Sequence, residues 1–255
     1  MWRIVRVTLL LAALVLVGSA AWFDRARASS WSDTLWIGVF PVDADGREAT
    51  RRYLAGLQAA DFGEIEAFFR REARAHGIAL ERPVHVELYP AVADAPPRLA
   101  SGSSALATLW WSLRLRWYSW RAARGTLASV RMFVLYHDPD VTAAVPHSLG
   151  LQKGLVGVVY GYAAQDMHAQ NEVVIAHEVL HTLGATDKYD PATLAPLYPQ
   201  GYGEPQREPR HPQRLAEIMA GRIALSPTEA SMPESLAETV VGPETAAEIH
   251  WSTHR

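Results

Sequence analysis

Between Asn171 and Asp187 the chain reads Asn-Glu-Val-Val-Ile-Ala-His-Glu-Val-Leu-His-Thr-Leu-Gly-Ala-Thr-Asp. No other stretch limits the possible folds as much. Apolar residues surround two histidines four positions apart, and the run ends at Gly184. This pattern predicts a largely buried helix, capped by Asn171 and stopped by Gly184. On it, His177 and His181 share one face, one turn apart, where both imidazoles can hold a single metal ion. Glu178 lies between them, beside the remaining coordination position. From there it can take a proton from a metal-bound water and pass it to a leaving amine. With no cysteine in the chain, the ligands must be His, Asp or Glu. Zinc fits neutral imidazole plus carboxylate, with one position open for water. Gly184 ends the helix in a left-handed turn, which swings the chain back and places Asp187 as a third ligand.

The continuation to Asp187 resembles the metzincin clan of zinc peptidases, whose long motif is HExxHxxGxxH. It is most similar to the variant with aspartate in the last position, as in snapalysin. It also resembles the immune-inhibitor-A-type peptidases, in which an Asp-x-Tyr-Asp run follows, here Asp187-Lys188-Tyr189-Asp190. The resemblance implies a zinc-dependent peptidase with His177, His181 and Asp187 as ligands and Glu178 as general base. It also implies a methionine turn beneath the metal, for which Glu217-Ile218-Met219-Ala220-Gly221 is the candidate, with Met219 as its residue. Some relatives carry a tyrosine two residues after that methionine, where this chain has Gly221. Tyr189, Tyr198, Tyr202 and Arg222 are the alternatives for assisting the transition state. Leu155–Tyr162 reads as a strand whose two glycines suit an edge position or a close backbone approach. The resemblance further implies that it is the edge strand, binding an extended peptide or protein substrate through Gly157, Val158, Val159 and Tyr160. Two rivals stay open. One is a catalytically inactive zincin-fold scaffold of the cell envelope, and the other a zinc hydrolase of non-peptide envelope amides.

Upstream, Leu35–Phe40 reads as a strand stopped by Pro41 and a turn at Asp43–Gly46, followed by helix over 48–60. Asp61 and Glu64 suggest a capping box for a second helix with Phe62, Ile65, Phe68 and Phe69 on one face, ending at Gly77. Val84–Tyr89 and Val130–Tyr136 are further strands, the latter central because it is almost continuously apolar. We expect an α+β fold of the zincin type. It would have a mixed twisted sheet of about four to five strands, a zinc-binding helix and a small irregular C-terminal subdomain. Residues 29–186 form the first part and 187–255 the second, whose stretch Asp187–Gln213 holds six prolines and little periodicity.

At the start, Arg3 and Arg6 precede an uncharged run from Val7 to Phe23. A span needs ~17–25 apolar residues, so residues 1–28 read as a transmembrane signal-anchor. A signal peptide cleaved near Ala26-Arg27-Ala28 is the alternative. In either case the catalytic part faces the periplasm or exterior, beyond an inner membrane. Residues 109–124 place Trp110, Leu113, Trp117 and Trp120 at helical spacing among four arginines. They fit either a helix packed on the domain through its aromatic stripe or one lying on the membrane surface. A net charge of −3 with mixed signs gives no reason to expect nucleic acid. His76, His85, His137, His147 and His168 read as surface or loop singletons, and His211 as the one that could approach the metal.

Overall fold

The computed structural model describes residues 6–7, 27–99, 102, 104–152 and 154–251. Most of the apolar run at residues 7–23 lies outside them, and among the described residues no helix is long and apolar enough to cross a membrane. The chain builds a mixed α/β layer structure around a five-stranded sheet. The strands are β1 (Leu35–Asp43), β2 (Val84–Leu88), β3 (Val130–His137), β4 (Leu149–Leu151) and β5 (Val156–Tyr162). Their order is β2-β1-β3-β5-β4, all parallel except β4, which runs antiparallel to β5 at the edge. β3 is central, as its apolar run predicts, because parallel strands covered on both faces have no polar side to show water.

Alternation along β3 sorts the core into two halves. Met132, Val134 and Tyr136 face α1 (Glu48–Gly56), α2 (Gly63–Ala75) and α4 (His168–Leu183). Phe133 and Leu135 face α3 (Ala105–Ala122) through its Trp111 and Leu115. Phe62, just before α2, and Ile65, Phe68 and Phe69 within it are all buried, and Gly77 follows its end with φ +81.

Several local expectations change. β1 does not stop at Pro41 but continues to Asp43. The Pro41 carbonyl accepts from Val92 on the β2 side, beyond the end of β2. The proline nitrogen points the same way, so the ladder to β3 loses no hydrogen bond. The capping pair is Gln58 with Asp61, whose Oδ2 accepts the Gln58 N–H at 2.8 Å, rather than Asp61 with Glu64. In α3 the stripe of Trp110, Leu113, Trp117 and Trp120 is exposed, and Trp111, Leu115 and Ser119 are buried instead. The aromatic stripe is therefore not the packed face. Arginines beside it mark the outward side, while Trp111 and Leu115 pack on the sheet from the other.

Beyond α4 the chain is irregular. It carries the two-residue strands β6 (Ala216–Glu217), β7 (Ile223–Ala224), β8 (Ala230–Ser231) and β9 (Thr239–Val240), and the short helix α5 (Pro243–Glu248). β6 pairs with β9 and β7 with β8. Ile218, Met219, Leu236, Val241, Ala246, Ile249 and Trp251 join the same apolar cluster as α4. Trp31 enters it too, edge-on to Trp251 at 5.2 Å, with its indole N–H donating to the Ile249 carbonyl at 2.7 Å. The segment just after residue 28 is thus part of the core.

Candidate active site

α4 begins at His168, one turn earlier than the sequence suggests. Asn171 does not cap it. Its side chain accepts the Tyr162 N–H at 3.0 Å and donates to the Tyr162 carbonyl at 2.9 Å, which pins the helix to the end of β5. Gly161 makes room for this, since a Cβ there would lie 2.8 Å from Asn171 Oδ1. Val173, Ala176, Val179, Leu180 and Leu183 are buried against the core. At the far end Gly184 adopts φ +119 and donates to the carbonyls of Leu180 and His181. The left-handed conformation that only glycine adopts without strain reverses the chain.

That reversal brings the predicted ligands together. His181 Nδ1 lies 2.9 Å from the Ala185 carbonyl, just past the turn, and His177 Nδ1 lies 2.8 Å from the carbonyl of Ile218. A carbonyl only accepts, so each Nδ1 carries the proton, and in the neutral rings each Nε2 presents a lone pair. Both lone pairs meet Asp187 Oδ1, at 3.3 Å from His177 and 3.1 Å from His181. Three acceptors crowded this closely are satisfied either by protons on Nε2, which turn the rings into donors to Asp187, or by a metal ion among them. Donor atoms of His177, Glu178 and His181 also lie within 4.8 Å of one another. Glu178 Oε2 is buried with no hydrogen-bond partner, whereas Gly150 donates its N–H to the same carboxylate. The residues therefore fit a metal ion, held by two imidazoles and one carboxylate with a second carboxylate poised beside it.

The electrostatics follow from this arrangement. Burial pushes the Glu178 carboxyl up, against the opposing pull of His177 and His181. Burial also resists charging of the His177 ring, but Asp187, Glu178 and the Ile218 carbonyl together raise its pKa above the ordinary value. At Asp187 burial is likewise outweighed, and hydrogen bonds and charge from both histidines hold it far below the usual carboxylate range.

No protein-family model matches the chain, and no curated protein matches it. Among solved structures it is similar to two crystal structures of wild-type OgpA from Akkermansia muciniphila. One aligns at 13% identity and a TM-score of 0.43, covering 86% of this chain and 62% of that one. The other aligns at 12% identity and a TM-score of 0.36, covering 84% and 59%. The chain spans about three fifths of the length of these structures. A likeness this distant carries no argument about the site.

A cleft of about 930 Å³ opens over the histidines. Its walls include Val145–Gly150, Tyr160, Tyr189, Gly221 and Arg222, besides His177, Glu178, His181 and Asp187. Tyr189 lies beside Asp187, and burial together with that charge raises its phenol pKa. Tyr198 and Tyr202 do not line the cleft. Tyr202 hydrogen-bonds His211 at 3.1 Å, and Tyr198 packs edge-on against Tyr202. His211 is therefore engaged away from the metal candidates. Of the other histidines expected at the surface, His137 and His168 are buried, and His168 bridges the Tyr53 hydroxyl and the Asp61 carbonyl.

The edge-strand expectation is corrected. β5 lies between β3 and β4, so Gly157 and Val158 already have a strand on each side. Of Gly157, Val158, Val159 and Tyr160, Tyr160 alone lines the cleft. Gly157 serves a close approach instead, since a Cβ there would fall 2.7 Å from Met132 Sδ. The edge belongs to β4, three residues long and too short to leave a periodic signal. It lies directly on the helix, where a Gly150 Cβ would sit 2.6 Å from both the Glu178 carbonyl oxygen and the His181 Cβ.

Met219 is fully buried in the cluster that backs α4. Its turn is built by Glu217, which sequence reasoning did not single out. One Glu217 oxygen accepts the N–H groups of Met219 and Ala220, at 2.7 and 3.1 Å. The other accepts from Gly242 N–H at 3.1 Å and the Thr245 hydroxyl at 2.7 Å. The turn so fixed presents the Ile218 carbonyl to His177, and so sets which nitrogen of that ring faces Asp187.

Proposed function

We propose that this chain is a zinc metallopeptidase of the metzincin type, with His177, His181 and Asp187 as ligands and Glu178 as general base. One observation carries the reading. Two imidazole lone pairs and the Asp187 carboxylate meet at one point, and the unpartnered Oε2 of Glu178 is buried beside them. A bound zinc ion would supply Lewis-acid polarisation of a carbonyl and a nucleophile at neutral pH. Glu178 takes the proton from the attacking water and delivers it to the leaving amine, and the Gly150 N–H keeps its carboxylate aimed. The free edge of β4 lies beside the cleft and can pair with an extended substrate, the role first expected of β5. Tyr189 and Arg222 are the two proposed transition-state groups that line the cleft.

The test is metal content and turnover of the full chain in detergent, with dye-labelled casein as substrate. Wild type should hold one zinc per chain. Glu178→Gln should keep the zinc and lose turnover, and Asp187→Ala should lose the zinc. A wild type without zinc would sink the proposal, as would a Glu178→Gln variant that still cleaves.

A further inference from the structure

α3 is apolar on two opposite sides, and the sheet accounts for one of them. Trp111, Leu115 and Ser119 are buried against it. Leu106, Leu109, Trp110, Leu113, Trp117 and Trp120 are all exposed, Trp110 at 64% and Trp117 at 60%. At ~100° per residue these six fall within an arc of about 100°, centred opposite the buried side. Arg114 and Arg121 border the arc on one side and Arg116 on the other, Arg124 follows the last turn, and the helix contains no acidic residue. The guanidinium of Arg124 lies over the ring of Trp120 at 4.3 Å and that of Arg121 over Trp117 at 5.7 Å, while Arg121 also pairs with Asp94 at 3.1 Å.

We infer that this face docks onto an anionic lipid bilayer, with the tryptophans at headgroup depth and the arginines on the phosphates. Two observations select that occupant. The first is charge complementarity, because an apolar strip bordered by arginines, on a helix without acidic residues, matches an apolar interior beneath anionic headgroups. The second is where the chain goes. Arg27 and Ala28, which come after the uncharged N-terminal run and the intervening Asp24-Arg25-Ala26, line one cleft of about 740 Å³ together with Arg116 and Trp120 of α3. The chain thus enters the domain beside the exposed strip. The sheet stands between α3 and α4, so docking leaves the candidate metal cleft uncovered. The inference is independent of what that cleft does.

The absence of cysteine gives a direct test. An environment-sensitive fluorophore is attached to the full chain through Leu113→Cys, or through Thr228→Cys on an exposed loop as the control. Each protein is reconstituted in phosphatidylcholine vesicles with and without about one third phosphatidylglycerol. The Leu113 probe should shift to the blue and be quenched by brominated lipid in anionic vesicles only, and the Thr228 probe in neither. Arg114→Gln with Arg116→Gln should shift docking by about fivefold per arginine. A Leu113 probe as wet as the Thr228 probe in both vesicles overturns the inference. So does equal immersion without phosphatidylglycerol, or a blue shift in detergent that grows with protein concentration, which would mark a second copy as the occupant.

Discussion

The Nζ of Lys188 lies 2.9 Å from both carboxylate oxygens of Glu248, joining the residue after Asp187 to the end of α5. Lys188 is buried and also donates to the Thr186 carbonyl and hydroxyl, while Glu248 accepts from the Thr186 N–H and hydroxyl as well. The two partners are unequal. Without Lys188, Glu248 keeps the Thr186 donors and partial access to water. Without Glu248, a buried ammonium keeps Thr186 and only the distant carboxylate of Glu244 at 3.9 Å. Glu248→Ala should therefore cost about 2–4 kcal/mol of stability, more than Lys188→Met. The double variant should recover part of the loss. Urea unfolding of the four proteins checks this, and equal costs for the two single variants would refute it.

Glu217 should be intolerant of even an isosteric change. Both of its oxygens accept two donors each, so the NH₂ of a glutamine must face N–H groups on one side. Glu217→Gln is expected to lose about 1–3 kcal/mol for the buried groups left unpaired. Because the Ile218 carbonyl orients His177, the zinc affinity of the proposed site should fall about 10–100-fold as well. Thermal unfolding and competition with a zinc chelator would measure the two effects. Unchanged affinity would show that the turn does not set the His177 tautomer.

Much of this site was legible because one helix writes it in a single stretch. The four-residue spacing of His177 and His181 and the glycine three residues on fix ring placement and chain reversal by local geometry alone. Glu217, Lys188 and Glu248 were not legible, because their partners lie at Met219, Gly242, Thr245 and Thr186, and no periodicity marks a carboxylate that accepts loop amides. The central strand β3 could be read from its continuous apolar run. Assigning β5 to the edge failed because β4 is only three residues long. The stripe on α3 was found, but sequence spacing cannot say which of two apolar sides the sheet will take.

Gly150 is where shape and chemistry meet most tightly. A methyl group there would press on the Glu178 backbone and the His181 Cβ at 2.6 Å, so Gly150→Ala must push β4 away from α4. The hydrogen bond that Gly150 N–H gives the Glu178 carboxylate then lengthens, while the proposed ligands His177 and His181, held from the other side by Ile218 and Ala185, stay in place. Turnover on a casein substrate should drop about 100-fold, the scale expected for a shift near 1 Å. Zinc content should be unchanged. Loss of zinc together with activity would mean that β4 also supports the ligands.

Glu172 offers a pH test away from the metal candidates. Burial, reinforced by the charge of Glu64 and opposed by the backbone N–H groups of Ile65 and Glu64, raises its pKa from 4.5 to about 8. One of its oxygens, Oε1, is buried without a partner. A carboxyl whose folded pKa exceeds its unfolded value binds its proton more tightly in the native state. Its contribution to stability is therefore full below about pH 4.5 and lost as pH rises through about 8. Across that window the slope can reach at most about 1.4 kcal/mol per pH unit. Glu172→Gln keeps an acceptor for the α2 amides but cannot ionise, so it should remove this slope and be the more stable protein at the alkaline end. Urea unfolding of both proteins at acidic, neutral and alkaline pH decides the matter. Parallel curves would mean that the Glu172 carboxylate is better solvated than its burial implies.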